Sequence, residues 1–219
     1  MHNTVKNLLE IENNIKDCLK EIKIINSPKI IAVSKTFKLD KILPLIDHGH
    51  VDFGENKVQE ALEKWSSVKT ENSKIKLHMI GKLQTNKVKY AVQVFDYIHS
   101  VDSERLAKKI SDEQNKINKK IKIFLQVNIG DENQKSGVNK NDLPKLVSYC
   151  EEINLDLIGL MCIPPMNIDP EDYFAEMNML NKAHGFAELS MGMSSDYLKA
   201  TKHFTTYVRI GSSIFGQRY

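Results

Sequence analysis

The chain of 219 residues has few cysteines and no long hydrophobic run. Its three cysteines, Cys18, Cys150 and Cys162, are odd in number and widely spaced, which excludes a disulfide framework and a zinc site. This cysteine usage predicts a reducing, cytoplasmic location. No apolar run approaches the length of a membrane span, so the sequence predicts no transmembrane helix. The first ten residues also lack the basic and then apolar order of a signal peptide.

The sequence also has little net charge and no linker. A formal net charge of +3 is small for this length and gives no case for binding nucleic acid or an anionic membrane surface. No stretch rich in glycine, proline or serine divides the chain. With 41% hydrophobic and 27% charged residues, residues 1–219 are predicted to form one globular domain. Metal-ligand spacings, a Walker loop and a nucleophile elbow are all absent.

Apolar runs and helical patterns alternate along the chain. Eight short runs predict strands at 29–37, 49–54, 75–80, 94–98, 121–127, 155–161, 186–190 and 206–210. Amphipathic patterns predict a helix after each strand and one more before the first. Strands that alternate with helices form parallel sheets, and eight such units predict an α/β fold, a closed (β/α)₈ barrel. The alternative is an open doubly wound sheet, which fits eight units at this length less well.

A lysine lies at the end of the first apolar run. A desolvated ammonium is costly unless it is paired or its pKa is depressed. Lys35 therefore has two interpretations: its amine is solvated in the loop beyond the strand, or it forms a Schiff base with a carbonyl compound. From the strand alone, the solvated lysine is favoured.

The last strand runs into a glycine, two serines and a short helical pattern. Backbone N–H groups at such a helix start, with serine hydroxyls, make a phosphate site, although Gly211 and Ser212 also suit an ordinary helix cap. Ser194, before another short helix, either adds donors to that site or caps its own helix. Arg209, inside the strand, points either inward to an aromatic nitrogen or phosphate, or outward to a helix carboxylate.

Three other polar residues have a functional and a structural interpretation. Asn56 either binds a ligand oxygen or caps its helix. His78, in the middle of a strand, is predicted to be a core histidine with its hydrogen bonds satisfied. His99 is predicted at a strand end, but nothing in the sequence pairs it with a base.

Closure of the barrel would bring the first and last strands together. Lys35 and the donors around Gly211 would then lie on adjacent strands. A ligand with both an aldehyde and a phosphate would satisfy both, and pyridoxal 5′-phosphate is such a ligand. This pairing favours the Schiff-base interpretation. A Schiff-base aldolase acting on a sugar phosphate is a further alternative.

Several ordered sequence blocks resemble the pyridoxal-phosphate homeostasis proteins. They cover nearly the whole chain and are residues 31–35, 53–60, 78–87, 99–103, 135–137, 159–161, 189–194 and 208–216. Each block alone is of modest specificity, but their combination in this order is highly specific.

The resemblance implies a barrel like the N-terminal domain of alanine racemase, with pyridoxal 5′-phosphate as cofactor. It implies an internal aldimine at Lys35, a phosphate held by Ser194, Gly211 and Ser212, a pyridine nitrogen facing Arg209, and Asn56 beside the cofactor. It also implies vitamin B6 homeostasis without established turnover, by a monomer or weak homodimer whose further partners are amino acids or apo-enzymes. The alternative is a weak amino-acid racemase that uses Lys35 as a base.

The chain departs from this family at three positions. Leu77 stands where tryptophan is common, Lys82 where a histidine or small residue is usual, and Phe204 where glycine is common. The first two departures put a ligand role for the loop after the third strand in doubt. Lys135 matches a family lysine that is expected to offer a secondary amine.

Overall fold

A computed structural model describes residues 1–132, 134 and 136–217 and shows a closed barrel of eight parallel strands. The strands follow one another around the barrel in chain order, and β1 pairs with β8 to close it. They are β1 Lys29–Val33, β2 Asp52–Glu55, β3 Lys76–Met79, β4 Tyr97–Val101, β5 Lys122–Val127, β6 Asp156–Cys162, β7 Glu188–Met193 and β8 Tyr207–Ile210. This confirms the predicted (β/α)₈ barrel and excludes the open sheet.

Helices surround the barrel, as the alternating sequence pattern predicts. They are α1 Asn3–Glu21, α2 Leu39–Asp47, α3 Val58–Glu71, α4 Val88–Val94, α5 Glu104–Lys116, α6 Leu143–Glu152, α7 Glu171–Ala183, α8 Tyr197–Lys202 and α9 Ser212–Phe215. Short 3₁₀ turns, Thr85–Lys87 and Lys140–Asp142, precede α4 and α6. Pro44 lies inside α2, which continues to Asp47.

Two layers of buried side chains hold the barrel together. The larger one lies between the strands and the helices. The smaller one fills the barrel interior with side chains from five strands: Ile31, Tyr97, Phe124, Met161 and Tyr207. Side chains alternate between the two layers along a strand. The interior therefore also receives residues two positions further along, such as His99 and Arg209, both of which are buried.

The predicted fourth strand begins too early and ends too soon. Residues 94–98 were predicted as strand, but Val94 ends α4 and β4 runs from Tyr97 to Val101. Val94 and Phe95 are apolar because they pack in the core at the helix end. A short apolar run does not distinguish these two environments. His99 consequently lies in the middle of β4 and not at its end.

One helix cap considered in the sequence also differs from the structure. Ser194 does not cap α8, because that helix begins three residues later, at Tyr197, with Asp196 at its N-cap position. Ser194 is thereby available for contacts with β8 and α9.

Two kinds of feature are absent from the described residues. Within them, no helix is long and apolar enough to cross a membrane. The same residues contain no group of three or more histidine, cysteine, aspartate or glutamate side chains arranged to hold a metal ion. The three cysteines are buried and unbridged.

Candidate functional site

A pocket of about 540 Å³ lies at the carboxyl ends of the strands. All six residues that the sequence analysis singled out as cofactor ligands line it. The lining consists of Val33, Lys35, Asn56, Ile80, Ile163, Met193, Ser194, Ser195, Arg209, Gly211, Ser212 and Gln217. Lys35 follows β1 and Gly211 follows β8, and closure of the barrel by these two strands brings them together.

Lys35 reaches this pocket from the loop after β1. It keeps the alternation of the strand, in which Ile31 faces the barrel interior and Val33 lines the pocket. The backbone on both sides of the lysine is tied down. Ser34 N–H donates to the Gly54 carbonyl over 3.0 Å. Thr36, which has a positive φ of 70°, donates its N–H to Glu60 over 2.5 Å.

Three charged side chains beside this loop form what we call the Lys64 cluster, defined as Glu55, Glu60 and Lys64. The Lys64 amine donates to both carboxylates and to the Ser34 carbonyl, each over 2.9 Å. Glu55 ends β2, and the other two lie one turn apart on α3. The cluster therefore connects the backbone next to Lys35 with the neighbouring strand and helix.

Glu55 is the most buried member of the Lys64 cluster. Its Oε1 accepts hydrogen bonds from Ser34 Oγ at 2.7 Å and Trp65 Nε1 at 3.0 Å, in addition to the one from Lys64. Burial raises the pKa of the Glu55 carboxyl, and the hydrogen bonds from Trp65 and Lys64 oppose that rise. The sequence analysis gave Glu55 no role. Its position at the end of a buried strand is the signal that could have identified it.

Arg209 enters the pocket from β8 and points into the barrel, which settles the two orientations left open by the sequence. It is only 4% exposed. Its Nη1 donates to Ser190 Oγ over 2.7 Å and its Nη2 to the Cys162 carbonyl over 2.8 Å. Burial lowers the pKa of the guanidinium, although the ordinary value is so high that it remains charged. Burial also raises the pKa of the Cys162 thiol to about 12, so this cysteine is not a nucleophile.

Backbone donors from the end of β8 meet a serine hydroxyl from the end of β7. The N–H groups of Gly211 and Ser213 donate to Ser194 Oγ over 3.3 and 3.4 Å. Ser212, between them, is exposed and lines the pocket. These donors converge on one small region, which is a common arrangement for binding a phosphate.

Asn56 contributes an acceptor to the pocket. Its Oδ1 is buried and has no hydrogen-bond partner among the described residues. Lys57, and not Asn56, occupies the N-cap position of α3, so the helix-cap interpretation is wrong. Gly81 packs against the Asn56 backbone, where an added Cβ would lie 2.5 Å from the carbonyl oxygen. A side chain at position 81 would therefore displace Asn56.

Of the other residues considered in the sequence, His78, His99 and Lys82 do not line this pocket. His78 is a core histidine with satisfied hydrogen bonds, as predicted, since it contacts Asp52 and His99 over 3.0 Å each. His99 also contacts Ser190, a partner that the sequence did not reveal. Lys82 is exposed. Lys135 lies outside the described residues.

Taken together, the pocket offers an amine, a buried cation, convergent N–H and hydroxyl donors, and a buried amide oxygen without a donor. An aromatic ligand with an anionic group, a ring nitrogen, an aldehyde and a hydroxyl would use all four. The described lining contains no histidine and no acidic side chain that could exchange a proton at neutral pH.

Comparison with known proteins gives a consistent set of relatives. The family described as "Alanine racemase, N-terminal domain" matches residues 7–219. A "Pyridoxal phosphate homeostasis protein" of Pasteurella multocida is 35% identical over 225 residues, which cover 97% of each chain. A protein of the same name from Aquifex aeolicus is 38% identical over 203 residues, or 88% of each chain.

Solved structures share the barrel fold of this chain. PipY of Synechococcus elongatus PCC7942, without PLP, has a TM-score of 0.83 and 32% identity, covering 92% of this chain and all of PipY. The structure of PipY with PLP bound has a TM-score of 0.77 and 31% identity. An alanine racemase of Clostridium difficile 630 has a TM-score of 0.74, but at 15% identity it supports the fold alone, and this chain covers 57% of it.

Proposed function

Because the chain belongs to the family of pyridoxal phosphate homeostasis proteins, we propose that it binds pyridoxal 5′-phosphate in this pocket and serves vitamin B6 homeostasis. The observation that carries the proposal is the convergence of Lys35, Asn56, Ser194, Arg209, Gly211 and Ser212 on a single pocket. We further propose that residues 1–219 act as one cofactor-binding domain.

The side chains and amides of the pocket fit the groups of this cofactor. The donors around Ser194, Gly211 and Ser212 would hold the phosphate. Arg209 would donate to the pyridine nitrogen, and the unpartnered Oδ1 of Asn56 would accept from a cofactor hydroxyl. When bound, the cofactor supplies an aldehyde carbon that reacts with amines. Lys35 is the amine that would attach it covalently.

The identity of Arg209 favours binding over turnover. A guanidinium does not give up its proton at physiological pH, so it cannot protonate the pyridine nitrogen. The cofactor is a weaker electron sink when that nitrogen is unprotonated. The pocket also lacks an acid or base opposite Lys35 among its described lining residues. These features support a carrier that loads and releases the cofactor.

The competing proposal is a weak amino-acid racemase that uses Lys35 as a base. The racemase structures that resemble this chain do so at an identity that speaks for the fold alone. Alanine and serine assays decide between the two proposals. Racemisation that disappears in Lys35→Ala would replace the carrier proposal by the enzyme proposal.

The same proposal extends to the oligomeric state, the partners and the location of the protein. A carrier of this kind would work as a monomer or weak homodimer and would meet amino acids or apo-enzymes that need the cofactor. Three buried, unbridged cysteines support a reducing, cytoplasmic location.

The experiment is borohydride reduction of the protein after incubation with pyridoxal 5′-phosphate, followed by peptide mass spectrometry. We expect a yellow protein before reduction and a pyridoxyl group on Lys35 after it. Lys35→Ala should lose both the colour and the label at this position. Wild-type protein with no label at Lys35 would refute the proposal.

A further inference from the structure

A continuous line of polar side chains crosses the barrel interior and ends at Arg209. Asp52 Oδ1 contacts His78 Nε2 over 3.0 Å, and His78 Nδ1 contacts His99 Nε2 over 3.0 Å. His99 Nδ1 then contacts Ser190 Oγ over 2.9 Å. We call these four residues, Asp52, His78, His99 and Ser190, the imidazole chain.

The imidazole chain begins at the amino end of the barrel, and Arg209 connects it to the pocket at the carboxyl end. Asp52 is the first residue of β2 and lines a second pocket, of about 400 Å³, at the amino ends of the strands. Lys29 and His50 line the same pocket. Ser190 lies in β7 and accepts the hydrogen bond from Arg209, which lines the candidate cofactor pocket. The imidazole chain and Arg209 together therefore span the barrel between two different pockets.

The chemistry of the four residues allows only one direction of hydrogen-bond donation along the imidazole chain. A carboxylate only accepts hydrogen bonds, so His78 Nε2 must carry the proton that faces Asp52. In a neutral imidazole the other nitrogen is an acceptor, so His78 Nδ1 receives the proton of His99 Nε2. By the same rule His99 Nδ1 accepts from the Ser190 hydroxyl. The Ser190 oxygen then keeps a lone pair for Arg209, and every donor meets an acceptor.

Burial supports neutral imidazoles in both histidines. Both side chains are fully buried, with His78 stacked on Tyr97 and His99 stacked on Phe124, each at a centroid distance of 4.2 Å. Burial lowers the pKa of His78, against the opposing effect of Asp52. It also lowers the pKa of His99, well below the ordinary value. Burial would raise the pKa of Asp52, but the hydrogen bond from His78 and the nearby Lys29 ammonium oppose this effect, and the pKa is lowered, so Asp52 is ionised.

Arg209 depends on this arrangement because it is a buried cation. Among the described residues no carboxylate forms an ion pair with it, and its observed partners are a hydroxyl and a carbonyl. A buried charge is costly unless hydrogen bonds satisfy it. We propose that the imidazole chain fixes the Ser190 oxygen as an acceptor and thereby positions Arg209 for the pyridine nitrogen of the cofactor. The inference rests on the proposed function, and it makes Asp52, at the far end of the barrel, a positioning residue.

The first test compares the loss of a hydroxyl that belongs to the imidazole chain with the loss of one that does not. Ser190→Ala deprives Arg209 of one of its two observed acceptors. Ser100→Ala is the matched control, because Ser100 is also a buried strand serine and its Oγ has no partner among the described residues. We expect Ser190→Ala to weaken pyridoxal 5′-phosphate binding roughly tenfold and to shift the visible band of the bound cofactor. Ser100→Ala should change neither. Equal affinities and spectra in the two variants would overturn the proposal.

The second test changes the far end of the chain. Asp52→Asn removes the charge that orients His78, at a site that does not line the cofactor pocket. We expect cofactor affinity to fall roughly three- to tenfold, and unchanged affinity would overturn the long-range part of the inference. This variant also keeps the proposal testable should Ser190→Ala not fold.

The third test does not require the cofactor. Nitrogen-15 NMR of the cofactor-free wild type, with His78→Gln and His99→Gln used for assignment, reports which ring nitrogen carries the proton. We expect neutral rings protonated at Nε2 in both histidines and a changed His78 pattern in Asp52→Asn. Protonation at Nδ1, or doubly protonated rings at about pH 7, would overturn the inference. If the wild type binds no cofactor, the proposed function fails, while this measurement still decides whether the oriented chain exists.

Discussion

The two cationic residues of the pocket, Lys35 and Arg209, are held in opposite ways. Near Lys35, the Lys64 cluster is charged and bonds to the backbone, at the Ser34 carbonyl and the Thr36 amide. Near Arg209, the imidazole chain presents a neutral hydroxyl to the side chain itself. The first arrangement fixes where the loop is, and the second fixes where the guanidinium is.

This difference matches the roles that we propose for the two residues. An amine that forms and breaks a covalent bond has to change its side-chain position while its backbone stays in place. An arginine that only donates to a ring nitrogen functions best when it is rigid, because a preorganised side chain loses less entropy on binding. Four sets of variants test this contrast, in order of decreasing effect.

The largest effect is expected from breaking the Lys64 cluster. Lys64→Met leaves the Glu55 carboxylate buried without its cation, and such a loss typically costs about 3–5 kcal/mol of unfolding free energy. The Ser34 carbonyl also loses its donor, so cofactor binding should weaken. Urea unfolding measures the stability change. Lys108→Met is the control, since Lys108 also pairs with a carboxylate four residues away on a helix, that of Asp112, but both of these side chains are exposed. A similar loss in both variants would contradict the buried-pair explanation.

A smaller effect is expected from replacing the planar guanidinium of Arg209. Arg209→Lys keeps the positive charge but cannot donate to Ser190, the Cys162 carbonyl and a ring nitrogen with the same planar geometry. We expect cofactor affinity to fall roughly tenfold, measured by titration with pyridoxal 5′-phosphate. The exposed Arg105→Lys is the control. Wild-type affinity in Arg209→Lys would show that charge alone suffices.

The two regions should also respond to pH with opposite signs. Because the pKa of His99 is lowered in the folded protein, this histidine takes up a proton at a higher pH in the unfolded chain than in the folded one. The stability that the neutral, buried His99 contributes is therefore lost as the pH falls below about 6.5. The pKa of Glu55 is raised in the folded protein, so the protonated carboxyl contributes to stability. This contribution is present below about pH 4.5 and is lost as the pH rises through the pKa that Glu55 has in the folded protein.

Variants separate these two contributions in urea unfolding between pH 4.5 and 7.5, a window chosen around the ordinary values of both groups. Relative to wild type, His99→Gln should gain stability as the pH falls, by at most about 1.4 kcal/mol per pH unit. Glu55→Gln should gain as the pH rises. Leu125→Val, a buried change that titrates nothing, should differ from wild type by a constant amount. Parallel slopes in all four proteins would contradict the assignment.

The smallest effect is expected at the proposed phosphate end. Ser212→Ala removes one exposed hydroxyl from the pocket lining and opens no cavity. We expect roughly two- to threefold weaker cofactor binding with no measurable loss of stability. Ser213→Ala, at an exposed neighbour that does not line the pocket, is the control. A stability loss in Ser212→Ala would assign this serine a structural role instead.

Local sequence patterns predicted the barrel and the residues at its carboxyl end. Alternating periodicity identifies strands, and closure of the sheet then places residues such as Lys35 and Gly211 beside each other. The patterns did not distinguish the end of α4 from the start of β4, because both are apolar. They also misassigned Ser194 as a possible helix cap, since a serine before a helical pattern usually has that role.

The two supporting arrangements could not be predicted in this way. The bond from Ser34 to Glu55 joins residues 21 apart, and the bond from His99 to Ser190 joins residues 91 apart. Such pairs depend on which strand face each residue occupies, and the misplaced end of β4 put His99 at a strand end. Once β4 is correctly placed, the alternation that brings Tyr97 into the interior also brings His99 there.

Closure of the sheet has one more consequence, which concerns self-association. An open sheet presents two outer strands whose free N–H and C=O groups can recruit strands of another molecule. In this barrel β1 and β8 satisfy each other over four residue pairs, so the ring of eight strands has no such border. A molecule built in this way can accumulate to high concentration without growing by strand addition, a useful property for one that would hold a reactive compound in reserve.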